Sequence, residues 1–186
     1  MTETIVLAFL PDPTWGPALA VPDGSIDHLA PFWRPYVEQA VEDQTAYVWD
    51  DAHAVALWTP PGQPELSRAR EAEIGVMIDR LYSAEHAAKL YDFFETFERV
   101  HPDEPPHAYL GFLATHPQFR GQGIGQQLLA ATLAHWDELG VPSYLESSNP
   151  VNLHRYERAG FVPRDQFASP FTGAVLTTMW REVPSP

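Results

Sequence analysis

The sequence of 186 residues contains no cysteine, which excludes disulfide bonds, thiolate nucleophiles and cysteine metal sites. It also has no run of 18 apolar residues, so we expect no transmembrane helix. Basic residues are scarce: 11 Lys and Arg face 25 Asp and Glu, which gives a formal net charge of −14. Such a field repels nucleic acid and anionic membranes and favours cationic small molecules, although acidic surfaces also serve solubility alone. We therefore expect neither nucleic acid nor membrane as a partner.

Periodicity and turn signals predict a mixed α/β fold around one central sheet. An acidic residue precedes the short apolar run in MTETIVLAFL, which indicates a first strand over residues 3–9 and no signal peptide. A cytoplasmic protein is the expectation. The elements predicted after it are a helix ending near residue 43, a hairpin at 45–62, two helices within 65–100, a strand at 107–117, a helix at 124–139, a strand at 143–148, a short helix at 151–159 and two closing strands.

The stretch HPQFRGQGIGQQLLA places three glycines within five positions at the start of a helix. Because glycine loses the most conformational freedom on folding, this pattern indicates a tight turn or a close approach of the backbone to a ligand. The unpaired N–H groups of a first helical turn, together with Arg120, favour an anion there. A phosphate or pyrophosphate is the expected ligand group, and a strand-to-helix turn without a ligand is the alternative.

Two familiar nucleotide loops fit this stretch poorly. A P-loop needs a lysine after its glycines, and none follows here. A Rossmann fingerprint, GxGxxG/A, needs a small third residue where Gln126 or Leu128 stands, although Glu146 lies where a ribose-binding acid is expected. A dinucleotide-binding oxidoreductase therefore stays as an alternative.

The pattern R-x-x-G-x-G at Arg120, Gly123 and Gly125 resembles the pyrophosphate-binding signature of the GNAT superfamily, the acyl-CoA-dependent N-acyltransferases. A second signature of that family, N-x-x-x-Y-x-x-x-G-F, is similar to NLHRYERAGF one helix and one strand later. The residues matching this second signature are Asn152, Tyr156, Gly160 and Phe161. The resemblance extends from about residue 107 to residue 181.

The resemblance implies a GNAT-type central mixed β-sheet flanked by helices, in a single domain over residues 1–186. Its acceptor-side half would span residues 3–100, and its acetyl-CoA-binding half residues 107–182. The implied function is an N-acetyltransferase that moves an acetyl group from acetyl-CoA to a primary amine of an unidentified small acceptor. Direct attack in a ternary complex is expected because no cysteine can carry the acyl group. A non-catalytic acyl-CoA-binding module of the same fold is the other possibility.

The family resemblance also implies roles for individual residues. Tyr156 would protonate the departing thiolate, and Asn152 would hydrogen-bond the cofactor arm. The residues implied to bind the cofactor are Leu113, Ala114, Thr115, Arg120, Gly121, Gln122, Gly123, Ile124, Gly125, Gln126, Asn152 and Tyr156.

The general base has three candidates. Glu146 ends a strand facing the expected cleft and is the first choice, His107 begins the neighbouring strand and could act through a water, and a water chain is the third. The histidines lack a ligand spacing such as HExxH, so we predict no metal. Aromatic residues of the first half either line an acceptor pocket or pack in the core. They are Phe32, Trp33, Tyr36, Tyr47, Trp49 and Trp58.

Overall fold

The computed structural model describes residues 1–184, so the last two residues of the predicted domain lie outside the described part. It consists of one six-stranded mixed sheet flanked by helices. The strands are β1 (Ala46–Trp49), β2 (Ala54–Thr59), β3 (Ala108–Thr115), β4 (Ser143–Ser147), β5 (Val162–Ala168) and β6 (Val175–Arg181). The α-helices are α1 (Thr2–Phe9), α2 (Trp15–Ala18), α3 (Leu29–Glu42), α4 (Arg68–Leu81), α5 (Ala84–Val100), α6 (Ile124–Glu138) and α7 (Leu153–Arg158). The predicted mixed α/β fold class is confirmed.

The sheet opens in its middle. Its strand order is β1-β2-β3-β4-β6-β5, and β3 and β4 form its parallel pair. These two strands are in register only at Ala108 with Ser143 and at Tyr109 with Tyr144. Beyond this point they diverge, so the facing edges of β3 and β4 are free to bind a ligand with their backbone N–H and C=O groups.

A bulge interrupts β3 beside this opening. Leu57 of β2 pairs with Phe112, but the next residue, Trp58, pairs with Leu110. Gly111 between them has no partner in β2, which bends the strand and changes the side on which its following side chains lie. The bulge therefore shapes the strand edge at the point where β3 and β4 separate.

Two hydrophobic cores cover the two faces of the sheet. Helices α1, α3, α4 and α5 cover one face, where Ile78 and Leu90 are fully buried. Helix α6 covers the other face through Leu129 and Trp136. The apolar faces that periodicity predicts for these helices are thus the faces that pack on the sheet. Within residues 1–184, no helix combines the length and the apolarity needed to cross a bilayer.

The predicted strand over residues 3–9 is wrong, because this segment forms α1. Ile5 is fully buried, and Phe9 lies one helical turn later on the same face. The ring of Phe9 packs 5.8 Å from Trp33 of α3 and 5.7 Å from Phe112 of β3. Packing against these two elements outweighs the β-propensity of the Thr-Ile-Val run. The chain consequently begins with a helix.

Candidate active site

A cleft of about 600 Å³ lies where β3 and β4 separate. This volume is in the range of small-molecule binding sites. Its lining comes from the glycine loop and the starts of α6 and α7, and from the α1–α2 connection and α5. The cleft is thus lined by residues from both of the predicted halves.

The three glycines of the loop are required for two different reasons. Gly121 and Gly123 have φ angles of 80° and 77°, in the left-handed region that other residues rarely adopt. A β-carbon at Gly125 would collide with the hydroxyl of Thr115, so only glycine lets α6 approach β3 this closely. Two of the glycines make the turn, and the third makes the close approach.

The loop end of the cleft favours an anion. Helix α6 begins after Gly123 without a side-chain cap, so the first N–H groups of the helix stay free at the positive end of its dipole. The cleft is lined by Ile124, Gly125 and Gln126 of this first turn, and Arg155 lines it as well. These N–H groups and the guanidinium of Arg155 therefore present positive charge to the cleft in a protein whose net charge is −14.

Ten of the twelve predicted cofactor-binding residues line the cleft. They are Leu113, Thr115, Arg120, Gly121, Gly123, Ile124, Gly125, Gln126, Asn152 and Tyr156. The other two do not. Ala114 is 1% exposed and packs in the core on the opposite face, because alternate residues of a strand face opposite sides. Gln122 is exposed on the loop outside the lining of the cleft.

Tyr156 lies in the wall of the cleft that the glycine loop also lines. Burial raises the pKa of its phenol to about 12, opposed by Arg155 and supported by the carboxylate of Asp12. The phenol therefore keeps its proton at neutral pH and is available as a donor. Asn152, at the start of α7, accepts a hydrogen bond of 3.0 Å from Nη1 of Arg155.

Glu146 carries a buried carboxylate in the wall of the cleft. Its side chain is 1% exposed, and neither carboxylate oxygen accepts a hydrogen bond from any residue in the described range 1–184. The histidine beside it is His101, whose Nδ1 lies 3.8 Å from Oε1. The phenols of Tyr109 and Tyr144 also lie close to this carboxylate, since burial and then the charge of Glu146 raise the pKa of both. Burying a carboxylate without donors is costly, which is typical of a group whose partner arrives with a ligand.

His107 does not line the cleft. It is 8% exposed, its Nδ1 lies 2.8 Å from the carbonyl oxygen of Pro105, and its Nε2 lies 3.0 Å from Nε2 of His101. Burial lowers the pKa of His107, so its ring is neutral at neutral pH. His107 therefore reaches Glu146 only through His101. No group of three His, Cys, Asp or Glu side chains among residues 1–184 is arranged to hold a metal ion.

Glu65 is a functional candidate that the sequence did not reveal. Its carboxylate lies against the bulged Gly111, where a β-carbon would collide with Oε1 of Glu65. Burial, and then repulsion by Glu146 and Glu98, raises the pKa of Glu65 to about 8. Glu65 stands in the loop before α4, and only the tertiary fold brings it to β3, so no local pattern could have identified it.

The aromatic walls of the cleft also differ from the predicted set. Trp15 and Phe97 face it, with their rings stacked at 5.7 Å and 20°. Further aromatic lining comes from Phe9, Tyr109 and Phe119. None of the six aromatic residues considered from the sequence lines this cleft; Phe32, Trp33 and Trp58 are core residues at most 2% exposed. Trp15 lies on the short helix α2, which the sequence pattern did not predict.

Comparison with known proteins identifies the family. A profile of the acetyltransferase (GNAT) family matches residues 65–161, which is more than half of the chain. The chain belongs to the GNAT acetyltransferase family. The matched segment runs from Glu65 to Phe161 and so contains the opening between β3 and β4, the glycine loop and the second signature.

Individual proteins similar to the chain are also named as acetyltransferases. The chain is 28% identical over 136 residues to a mycothiol acetyltransferase of Paenarthrobacter aurescens, which is 67% of this chain and 42% of that protein. It is 42% identical over 62 residues to the mycothiol acetyltransferase of Propionibacterium freudenreichii, covering 32% of this chain and 20% of that protein. The match thus spans less than half the length of either relative.

Solved structures share the fold over the whole chain. A Corynebacterium glutamicum protein described as histone acetyltransferase HPA2 and related acetyltransferase is 25% identical, with a TM-score of 0.63 over 100% of this chain and 90% of that chain. An arylalkylamine N-acetyltransferase 7 of the yellow fever mosquito is 13% identical, with a TM-score of 0.64 over 98% of this chain and 84% of that chain. The second similarity shows the fold alone.

Proposed function

We propose that the protein is an N-acetyltransferase that moves the acetyl group of acetyl-CoA to a primary amine of a small cationic acceptor, in a ternary complex. The observation that carries the proposal is the free first turn of α6, made accessible by Gly123 and Gly125, beside the free edge of β3. The family uses acetyl-CoA as its co-substrate. When bound, this group supplies an acetyl thioester activated for attack by an amine.

The residues of the cleft fit acetyl-CoA. The N–H groups of the loop from Arg120 to Gln126 would hold the pyrophosphate, and Asn152 would hydrogen-bond the pantetheine arm. The free edge of β3 at Leu113–Thr115 would pair with that arm like an added strand. This arrangement explains how so acidic a protein binds an anion: the contacts come from backbone dipoles as well as from charged side chains.

Two acidic side chains support the proposal that the acceptor is cationic. Glu146, buried and without a hydrogen-bond donor, would bind the acceptor ammonium and act as its general base. Glu65, across the bulge at Gly111, has its pKa raised to about 8 and so carries a proton at neutral pH; beside a bound cation it would lose that proton and become a second negative charge. Trp15 and Phe97, which line the same cleft, would offer apolar contact to the alkyl part of such an acceptor. Tyr156 would protonate the leaving thiolate.

The proposal is tested by thiol release from acetyl-CoA with a panel of primary amines. We expect acceptor-dependent turnover by the parent protein and a loss of kcat of about 100-fold or more in Glu146→Gln, with little change in KM for acetyl-CoA. Glu138→Gln, an exposed change on α6, is the matched control and should behave like the parent. Turnover by Glu146→Gln equal to that of the control would reject Glu146 as the base.

Two rival functions make different predictions in the same assay. A non-catalytic acyl-CoA-binding module of this fold would bind acetyl-CoA but release no thiol with any amine. A dinucleotide-binding oxidoreductase would bind NADH in preference to acetyl-CoA. Binding of acetyl-CoA together with amine-dependent thiol release excludes both.

A further inference from the structure

A row of side chains leads away from the buried carboxylate of Glu146. Nδ1 of His101 lies 3.8 Å from Oε1 of Glu146, and Nε2 of His101 lies 3.0 Å from Nε2 of His107. Nδ1 of His107 in turn lies 2.8 Å from the carbonyl oxygen of Pro105. The first of these distances is about 1 Å longer than a hydrogen bond, so proton transfer across it requires a movement of the Glu146 side chain towards His101.

The carbonyl at the far end fixes the hydrogens of the whole row. Because the carbonyl of Pro105 can only accept, Nδ1 of His107 carries a hydrogen, and Nε2 of the neutral ring is an acceptor. Nε2 of His101 must then donate to His107. A neutral His101 is left with a lone pair at Nδ1, directed at Glu146. The geometry thus prepares His101 to take a proton from that carboxyl.

Aromatic rings hold the two imidazoles in this orientation. The ring of His101 packs edge-on against Tyr109 at 4.9 Å and Tyr144 at 4.8 Å. The ring of His107 packs against Trp180 at 5.1 Å. These contacts come from three different strands, so both rings are fixed by the sheet as well as by their hydrogen bond.

Solvent reaches the row at His101. The side chain of His101 is 34% exposed, whereas that of Glu146 is 1% exposed. His101 also follows the last residue of α5, where the carbonyl end of the helix dipole favours a positive charge. A proton delivered to His101 is therefore both stabilised and able to leave.

We propose that His101, acting through Glu146, receives the proton that the acceptor amine loses, and that His107 is a positioning residue that fixes the tautomer of His101. The inference rests on the proposed function, since it describes where the proton of that reaction goes. Neither histidine contacts the reacting atoms.

The protons of the reaction balance with this route. An ammonium acceptor loses two protons when its nitrogen bonds to the acetyl carbon and the carbon–sulfur bond breaks. Glu146 takes the first and passes it to Nδ1 of His101, which releases it to water. The second replaces the proton that Tyr156 gives to the sulfur. One proton is released per turnover, as thiol and amide are formed.

The tautomers can be observed directly without turnover. Two-bond ¹⁵N–¹H correlation spectra of the full chain labelled at histidine, recorded above neutral pH, should show hydrogen on Nδ1 of His107 and on Nε2 of His101. Signals that disappear in His107→Gln and His101→Gln assign the two rings. A hydrogen on Nε2 of His107, or on Nδ1 of neutral His101, would overturn the row of hydrogen bonds.

Kinetics test the role itself. We expect His101→Gln to lose at least about tenfold in kcat/KM for the acceptor at neutral pH, with KM for acetyl-CoA unchanged. His101→Gly should regain rate on addition of imidazole, which a merely structural role would not allow. The control His135→Gln, an exposed change on α6, should match the parent.

The outcomes separate this inference from the proposed function. If the parent transfers no acetyl group, the proposed function fails. If the parent is active and His101→Gln keeps its rate, the role of His101 is rejected. A loss in His101→Gly that imidazole does not restore, in a variant that unfolds at the parent temperature, would also reject it.

Discussion

The hydroxyl of Thr115 occupies the position that a β-carbon at Gly125 would need. The first turn of α6 therefore lies against β3 at the mouth of the cleft only because residue 125 is glycine. The geometry of the anion site depends on this contact between residues 115 and 125, since any shift of the turn moves its free N–H groups.

Gly125→Ala should weaken acetyl-CoA binding by about tenfold, since the collision displaces the helix start by a few tenths of an ångström or more. Isothermal titration with acetyl-CoA measures the effect. Gly75→Ala on α4 is the control, because a β-carbon there meets only the Tyr91 hydroxyl at an ordinary 3.6 Å. Equal affinity of Gly125→Ala and the control would contradict the close approach of α6 as the basis of binding.

Arg181, at the end of β6, should be a major stabilising residue for the segment that carries the second signature. Its guanidinium donates bonds of 2.6 and 2.8 Å to Asp137 and one of 2.8 Å to the carbonyl of Ala159. Arg181→Met leaves a partly buried carboxylate unpaired and should cost about 3 kcal/mol in the free energy of unfolding. Lys89→Met breaks an exposed pair with Glu85 and should cost less than about 1 kcal/mol. Denaturant unfolding compares the two, and equal losses would contradict the prediction.

Glu65 should make stability fall at alkaline pH. Its pKa is about 8 in the folded protein, above the ordinary glutamate value, so between these values the folded state holds a proton that the unfolded chain has released. Stability therefore decreases as pH rises through this window. Glu65→Gln should melt about 5 °C above the parent at pH 9, with only a small difference at pH 5. The melting temperature of the exposed control Glu73→Gln should differ from that of the parent by the same amount at both pH values. If the difference for Glu65→Gln were also the same at pH 5 and pH 9, the raised pKa of Glu65 would be contradicted.

Tyr156→Phe should lower kcat about 10- to 100-fold while leaving KM for acetyl-CoA nearly unchanged, because only proton donation to the thiolate is lost. Since burial raises the pKa of Tyr156 to about 12, its ionisation should not reduce the parent rate below pH 10. Rate measurements from pH 7 to pH 10 check both points. The control is Tyr91→Phe on the exposed side of α5. A parent rate that falls below pH 10 in step with Tyr156 ionisation would contradict the placement.

The two glycine signatures could be predicted from sequence because each depends on local backbone geometry. Gly121 and Gly123 need positive φ angles, and Gly160, at a φ of 94°, terminates α7 where the side chain of Arg181 leaves little room for a β-carbon. Such requirements concern residues that are close together in the sequence, so the spacing of the glycines is enough to predict them.

Features that depend on distant packing could not be predicted in this way. The residues of α1 have strand-like composition and become helical because Phe9 packs on Trp33 and Phe112. Glu65 and His101 reach the neighbourhood of Glu146 from the ends of α-helical segments that approach β3 only in the folded chain. Their positions follow from tertiary contacts, and a single sequence carries no local pattern for them.

Thermal unfolding with acetyl-CoA, with CoA and with NADH in parallel tests the central claim most directly. A ligand at about one hundred times its dissociation constant adds roughly 2.7 kcal/mol, which for a chain of this size raises the midpoint by about 5–10 °C. We expect this rise with acetyl-CoA and with CoA, and none with NADH. If the midpoint does not rise with either CoA ligand at millimolar concentration, the claim that the cleft beside the glycine loop binds acetyl-CoA is contradicted. The proposed transfer reaction would then be rejected as well.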